Sequence, residues 1–171
     1  MRIRLVKPTK ELKEKAIEFR QEFFDHKERI IDGSELLDKT DSYDEWLKKV
    51  TENADPETVN PDWVVTDTFF VLDETERIVG IIDFRHTLND VLKDLGNCGY
   101  SVRPSERKKG YASEMLRLLL EIAAHAGFKG IRLSVERANE PSVKTIVKNG
   151  GVYERSFEFE GKQADVYRIN L

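Results

Sequence analysis

The sequence contains a single cysteine, Cys98, and no apolar run that approaches the roughly 18 residues of a membrane-spanning helix. One cysteine excludes a disulfide framework and a thiolate metal cluster. The opening residues, MRIRLVKPTKELKE, lack the apolar centre of a signal peptide. We therefore expect a cytoplasmic protein without a metal site and without a membrane partner.

Two well-known phosphate-binding motifs are also missing. The chain has no G-x-x-x-x-G-K-[ST] and no G-x-G-x-x-G after a predicted strand, which argues against a nucleotide hydrolase and a dinucleotide oxidoreductase. The formal net charge of -4 argues against broad nucleic-acid binding, so a nucleic-acid or general anion-binding module is the least favoured function class. Any local basic cluster then stands out as a site.

The length of 171 residues and a hydrophobic content of 39% suit one globular domain over residues 1–171. Apolar spacing and alternation predict the order β-α-α-β-β-β-α-β-α-β-β, with a further short helical piece at 89–95. This order predicts an α/β or α+β fold, with a central mixed sheet and helices on its faces. The main predicted helices lie near 12–23, 43–51, 110–126 and 141–149, and the strands near 2–6, 67–73, 77–87, 97–102, 130–136, 152–160 and 164–170.

The stretch RPSERKKGYASEML, Arg103 to Leu116, places four cations, a proline and a glycine before an apolar helix. Pro104 ends the preceding strand, and the first backbone N–H groups of the helix have no partners within it. These donors and the helix dipole form an anion site, and Gly110 allows a ligand to approach the backbone closely. A diphosphate suits this geometry. A solvated basic turn that caps an amphipathic helix is the alternative.

Within that stretch, RKKGYA (Arg107 to Ala112) resembles the R/Q-x-x-G-x-G/A signature of the GNAT superfamily of N-acetyltransferases. The later segment NEPSVKTIVKNGG, which begins at Asn139, is similar to the family's second motif, and the order of elements is similar over nearly the whole chain. The resemblance implies a mostly antiparallel sheet with a splayed strand pair. It also implies direct transfer of an acetyl group from acetyl-CoA to a primary amine, and homodimers are common among such proteins.

The resemblance further implies which residues hold acetyl-CoA. One strand edge would pair with the pantetheine arm, the basic turn would hold the pyrophosphate, and the start of the second-motif helix would contact the arm near its thiol. These residues are, in that order, Tyr100, Ser101 and Val102; Arg107, Lys108, Lys109, Gly110, Tyr111, Ala112 and Ser113; and Asn139 and Ser142. Asn139 equally fits a plain helix cap.

The catalytic residues stay open, because the chain departs from the family's pattern. Ile146 occupies the position of a common tyrosine acid, and NCGYSV has no strand carboxylate. The remaining candidates are Glu136 at a strand end, His86 and Tyr100. Each also has a structural interpretation, as a surface carboxylate, a satisfied histidine and a packing tyrosine. An acetyl-CoA-binding sensor or assembly domain without turnover is therefore the alternative function.

The region from Asp32 to Asp62 carries ten acidic and three basic residues. In GNAT-like chains the segment after the first helix borders the acceptor cleft, so the resemblance suggests a cationic acceptor. A polyamine, an aminoglycoside-like amine, or a lysine or N-terminal amine of a peptide would fit. An acidic surface that only aids solubility is the alternative.

Overall fold

The computed structural model describes all 171 residues and contains seven strands and four α-helices in the predicted order. The strands are β1 Arg4–Val6, β2 Thr66–Leu72, β3 Ile78–Arg85, β4 Tyr100–Val102, β5 Gly130–Glu136, β6 Val152–Phe159 and β7 Lys162–Asn170. The helices are α1 Lys13–Asp25, α2 Tyr43–Asn53, α3 Tyr111–His125 and α4 Glu140–Lys148.

The strands form two antiparallel sheets, in the orders β1-β2-β3-β4 and β5-β7-β6. An isolated bridge between Gly96 and Leu133 joins them. Asn97 strengthens this junction, because its amide donates to the Arg132 carbonyl at 2.7 Å and its side chain accepts from the Arg132 amide at 2.9 Å. The predicted antiparallel sheet is thus confirmed, and it divides between β4 and β5.

Alternation along β2 explains why helices cover both faces of the first sheet. Phe69 and Val71 pack in a core with residues of α3 and α4. Phe70 and Leu72 point the opposite way, into a core built with residues of α1 and α2. The polar residues Glu114, Arg117, Glu121 and His125 of α3 all lie outside the buried set, so they form one solvent-facing stripe.

The predicted helical piece at 89–95 is wrong. This segment forms consecutive turns, in which the amides of Leu92 and Lys93 both donate to the Asn89 carbonyl. Gly96, at φ +86°, ends the turns and begins the bridge to β5. The segment is too short for helix formation to outweigh its docking against the sheet.

Candidate active site

A cleft opens where β4 and β5 diverge beyond the Gly96 bridge. β4 pairs with β3 and β5 pairs with β7, and no pairing joins β4 to β5. The cleft contains a cavity of about 580 Å³. Its lining includes Tyr100 on β4, Glu136 on β5, Ser142 on α4 and Asp32 from the loop after α1.

The open edge of β4 offers backbone groups to this cleft. The Asp83 amide of β3 donates to the Gly99 carbonyl at 3.0 Å. Because successive residues of an antiparallel strand direct their backbone groups to opposite sides, Tyr100 and Val102 direct theirs away from β3. The Val102 carbonyl accepts a hydrogen bond from Arg107 Nε at 3.4 Å.

The basic turn presents a continuous series of free amide donors. Its backbone bends through left-handed conformations at Lys108 (φ +63°) and Gly110 (φ +87°), where α3 begins. Such alternation concentrates N–H groups into an anion-binding concavity, and the helix dipole adds to it. The amides that donate no hydrogen bond within the protein are those of Lys108, Lys109, Gly110, Tyr111, Ala112 and Ser113.

The cations of this turn are largely neutralised by carboxylates. Arg107 makes two hydrogen bonds to Glu28, at 2.7 and 2.9 Å, which hold the pKa of Glu28 below its usual value. Lys109 lies 2.9 Å from Glu106. Lys108 forms no ion pair. The backbone amides therefore contribute more to an anion site here than the side-chain charges do.

Arg103, one of the four cations in the sequence motif, does not reach the site. Its side chain is buried and donates to Glu22 at 3.0 Å, to Glu18 at 2.8 Å and to the Ile78 carbonyl at 3.0 Å. Glu22 also accepts the Ser105 amide at 2.8 Å. Arg103 thus ties the start of the turn to α1.

Tyr100 and the start of α4 meet in the cleft. The Tyr100 hydroxyl lies 2.7 Å from Ser142 Oγ, and burial raises the pKa of Tyr100 to about 12. The Asn139 side chain accepts the Ser142 amide at 3.3 Å, so Asn139 caps α4 while lining the cavity. The tyrosine stays protonated at neutral pH and is a hydrogen-bond donor.

The other two catalytic candidates occupy different places. The Glu136 carboxylate lines the cavity at its rim, with Lys162 3.7 Å away. His86 lies outside the cavity lining and bonds Asp67 at 2.7 Å, with its ring packed against Phe84. The structure therefore brings Glu136 and Tyr100 together and leaves His86 elsewhere.

The loop after α1 forms a wall of the cleft that motif analysis missed. Its Asp32 carbonyl accepts from Ser101 Oγ at 2.8 Å, and a Cβ at Gly33 would overlap the Gly99 carbonyl. Although the Asp32 side chain reaches solvent, desolvation in the cleft and repulsion from nearby carboxylates, Glu136 among them, raise its pKa. Only the acidic composition of this region hinted at such a role.

Two neighbouring carboxyl groups, the half-buried Glu35 and the buried Asp83, lie behind this wall. Asp83 is fully buried; it accepts the Gly99 amide at 2.7 Å and lies 3.3 Å from Arg85. Glu35 accepts from the indole of Trp63 at 2.9 Å. Burial, followed by repulsion from Asp83, raises the pKa of Glu35 to about 8. Glu35 is therefore mostly protonated at neutral pH.

Comparison with known proteins identifies the family. The model of the acetyltransferase (GNAT) domain matches residues 2–152. The chain belongs to the GNAT family. No curated protein matches the sequence.

Solved structures of GNAT N-acetyltransferases share the fold at low identity. A ribosomal L7/L12 alpha-N-protein acetyltransferase (RimL) in complex with coenzyme A is 14% identical, with a TM-score of 0.73 over 99% of this chain and 94% of that one. A mutant spermidine/spermine N-acetyltransferase (SpeG) from Vibrio cholerae is 15% identical, with a TM-score of 0.68 over 98% and 93%. The GNAT fold is thereby established.

The departure from the GNAT pattern at Ile146 has a structural explanation, and Ile146 in turn explains the glycine at position 151. Ile146 is buried in the core beneath α4, so no acid comes from that position. A Cβ at Gly151 would overlap Ile146, which explains a glycine after the helix-ending Gly150. Cys98 packs in the same core, where burial raises the pKa of its thiol.

Two further observations concern the whole chain. No group of three or more His, Cys, Asp or Glu side chains is arranged to hold a metal ion. None of the helices combines the length and apolar character that crossing a membrane requires.

The Glu35 pair predicts an unusual dependence of stability on pH. Because folding raises the pKa of this carboxyl from 4.5 to about 8, the folded state binds more protons than the unfolded state between those values. This contribution therefore lowers the free energy of unfolding as pH rises from about 4.5 to 8. Glu35→Gln keeps an acceptor for the Trp63 indole and removes the charge. We expect it to be more stable than the wild type at pH 9 and to lose this advantage at pH 5.

Thermal unfolding at pH 5 and pH 9 checks this expectation. Glu114→Gln is the matched control, because an Arg117 hydrogen bond lowers the pKa of Glu114 and gives the opposite sign. The control variant gains no stability at pH 9. Equal melting temperatures of Glu35→Gln and the wild type at pH 9 would contradict the raised pKa of Glu35.

Proposed function

We propose that this protein is an acetyl-CoA-dependent N-acetyltransferase that moves an acetyl group directly to a primary amine. The observation that carries the proposal is the run of free backbone amides from Lys108 to Ser113, which lies beside the open edge of β4. A diphosphate group fits these amides in number and direction. The backbone amides therefore supply the anion site without a cluster of side chains.

The remaining donor contacts follow from the same cleft. The outward backbone groups of Tyr100 and Val102 can pair with the amides of a pantetheine arm, as an added strand does. This arm would run toward Asn139 and Ser142, which line the cavity at the start of α4. Ser101 supports the arrangement from behind by bonding the Asp32 carbonyl.

Acetyl-CoA supplies a thioester whose carbonyl carbon accepts the amine nitrogen. The C–N bond forms, the C–S bond breaks, the nitrogen loses a proton and the sulfur leaves as a thiolate. An ammonium with a pKa of about 10.4 is almost fully protonated at pH 7, because the pH lies roughly 3.4 units below that pKa. Its deprotonation is therefore the demanding step. Asp32 and Glu136, at the solvent-accessible rim, hold the ammonium and pass its proton to water.

Tyr100 acts as a hydrogen-bond donor to the sulfur in this proposal. With a pKa of about 12, its hydroxyl keeps its proton beside a thiolate whose own pKa is about 8.5. We expect Tyr100→Phe to lower kcat about tenfold while leaving the KM of the amine unchanged. Steady-state kinetics checks this result.

Tyr153→Phe is the matched control for Tyr100. Tyr153 also bonds a serine hydroxyl, Ser156 at 2.6 Å, but it is exposed on β6 outside the cleft. The control should leave kcat unchanged. Equal kcat values for Tyr100→Phe and the wild type would remove Tyr100 from the reaction.

Two measurements decide the function. Calorimetry with acetyl-CoA tests the donor site, and release of free thiol with a panel of primary amines tests turnover. The acidic rim of the cleft favours cationic acceptors. We therefore expect the turnover of cationic acceptors to exceed that of anionic acceptors at low salt. Binding of acetyl-CoA without thiol release across the panel would instead favour the sensor or assembly function.

A further inference from the structure

The acceptor side of the cleft is a face of the β5-β7-β6 sheet. Its strand registers pair Glu136 with Ala164 and Ala164 with Phe157, so these three side chains form one row across the strands. Neighbouring strands lie about 4.8 Å apart, which separates the outer two members by roughly 10 Å. Ala164 leaves a shallow depression between a carboxylate and an aromatic ring. All three residues line the cavity.

The far end of this row is apolar and incompletely covered. Phe159 lies on the same face as Phe157, with the ring centroids 6.4 Å apart. Phe159 is 43% exposed, and Ile30, which lines the same cavity from the loop after α1, is 67% exposed. Large apolar side chains that converge on one cavity while open to solvent are typical of a ligand contact.

The cavity lining carries an excess of negative charge. It includes the carboxylates of Asp32, Glu136 and Glu160, and the guanidinium of Arg85. Arg85 is paired with the buried Asp83 at 3.3 Å, and Lys162 offsets Glu136 at 3.7 Å. The carboxylates of Asp32 and Glu160 make no ion pair, which suits an ammonium.

We propose that the acceptor is a primary amine whose nitrogen is joined by a short chain to an alkyl or aryl group. The nitrogen lies between Asp32 and Glu136, and the apolar group lies on Phe157 and Phe159. This inference rests on the proposed acetyl transfer and narrows its acceptor to amines that carry an apolar group on a short chain.

A series of straight-chain alkylamines tests the inference. We expect kcat/KM to rise about threefold to fourfold per methylene from propylamine to hexylamine, because each added methylene is buried against the aromatic rings. A kcat/KM that stays constant as the chain lengthens would overturn the inference.

Variants of the aromatic wall supply the second test. Phe157→Ala and Phe159→Ala should each reduce kcat/KM for hexylamine about tenfold and that for propylamine much less. Tyr153→Ala, which removes an exposed aromatic of the same strand outside the cleft, should change neither. Equal losses for both amines in the two phenylalanine variants would contradict a role in recognising the chain.

Calorimetry with the same amines and coenzyme A separates this inference from the proposed function. Tighter binding of hexylamine than of propylamine supports the pocket assignment whether or not thiol is released. Tighter hexylamine binding without thiol release from acetyl-CoA would overturn acetyl transfer alone. Equal binding of the two amines would overturn the pocket assignment alone, provided that thiol release is observed with either.

Discussion

Replacing Gly110 with alanine should weaken acetyl-CoA binding by about 100-fold while the protein stays folded. Gly110 has φ +87° and starts α3, and a Cβ there would approach only the Met1 side chain, at 3.4 Å. Alanine therefore raises the free energy of this turn only because it disfavours the left-handed backbone conformation. The chain relieves this strain by rotating the neighbouring amides. Losing two charge-assisted hydrogen bonds to a diphosphate is enough for an effect of this size. Calorimetry measures the affinity.

Gly127→Ala is the matched control for Gly110→Ala. Gly127 has φ +93°, lies just after α3, and has no atom within 4 Å of the added Cβ. It carries the same backbone strain at the opposite end of the same helix. We expect a similar loss of stability and full binding of acetyl-CoA. Equal affinity of Gly110→Ala and the wild type would refute the pyrophosphate site.

Replacing Arg103 with methionine should lower the free energy of unfolding by about 3 kcal/mol. The guanidinium is buried. When Arg103 is removed, Glu22 retains only the Ser105 contacts and a more distant Arg77, at 3.6 Å. The Ile78 carbonyl also loses its guanidinium donor. For a chain of this length the change corresponds to a melting temperature about 6–12 °C lower.

Arg117→Met provides the comparison for Arg103→Met. Arg117 pairs with Glu114 and Glu121 on the exposed face of α3, and such surface pairs contribute about 1 kcal/mol or less. Urea unfolding of both variants gives the two free energies. Losses of similar size would contradict the structural role of the buried arginine.

Local pattern was sufficient to predict most of the fold. The β-branched and aromatic runs of β2 and β3 and the helical spacing in α3 each depend on neighbours within a few residues. The segment at 89–95 failed because helical spacing over one or two turns does not outweigh docking against β5. The division of the sheet came from the family resemblance, since no local pattern indicates where two strands separate.

The site was harder to predict, because its electrostatics depend on residues distant in sequence. Arg107 meets Glu28 and Arg103 meets Glu18, across separations of 79 and 85 residues. The same is true of Glu35 and Asp83, whose mutual repulsion requires the loop after α1 to pack on β3. The sequence alone does not show these pairings, so each of these groups looked like a free charge. Only the folded chain shows which of them neutralise one another.

In the proposed donor site, the paired cations of the turn favour selection of a ligand by its shape. A site built from free lysines and arginines would attract any polyanion and would lose affinity steeply as salt concentration rises. Here Glu28 and Glu106 cancel much of that long-range attraction, and the amide donors act only at hydrogen-bond distance. In a cell crowded with nucleic acids and free phosphates, the turn therefore stays available to a diphosphate that enters with the arm attached.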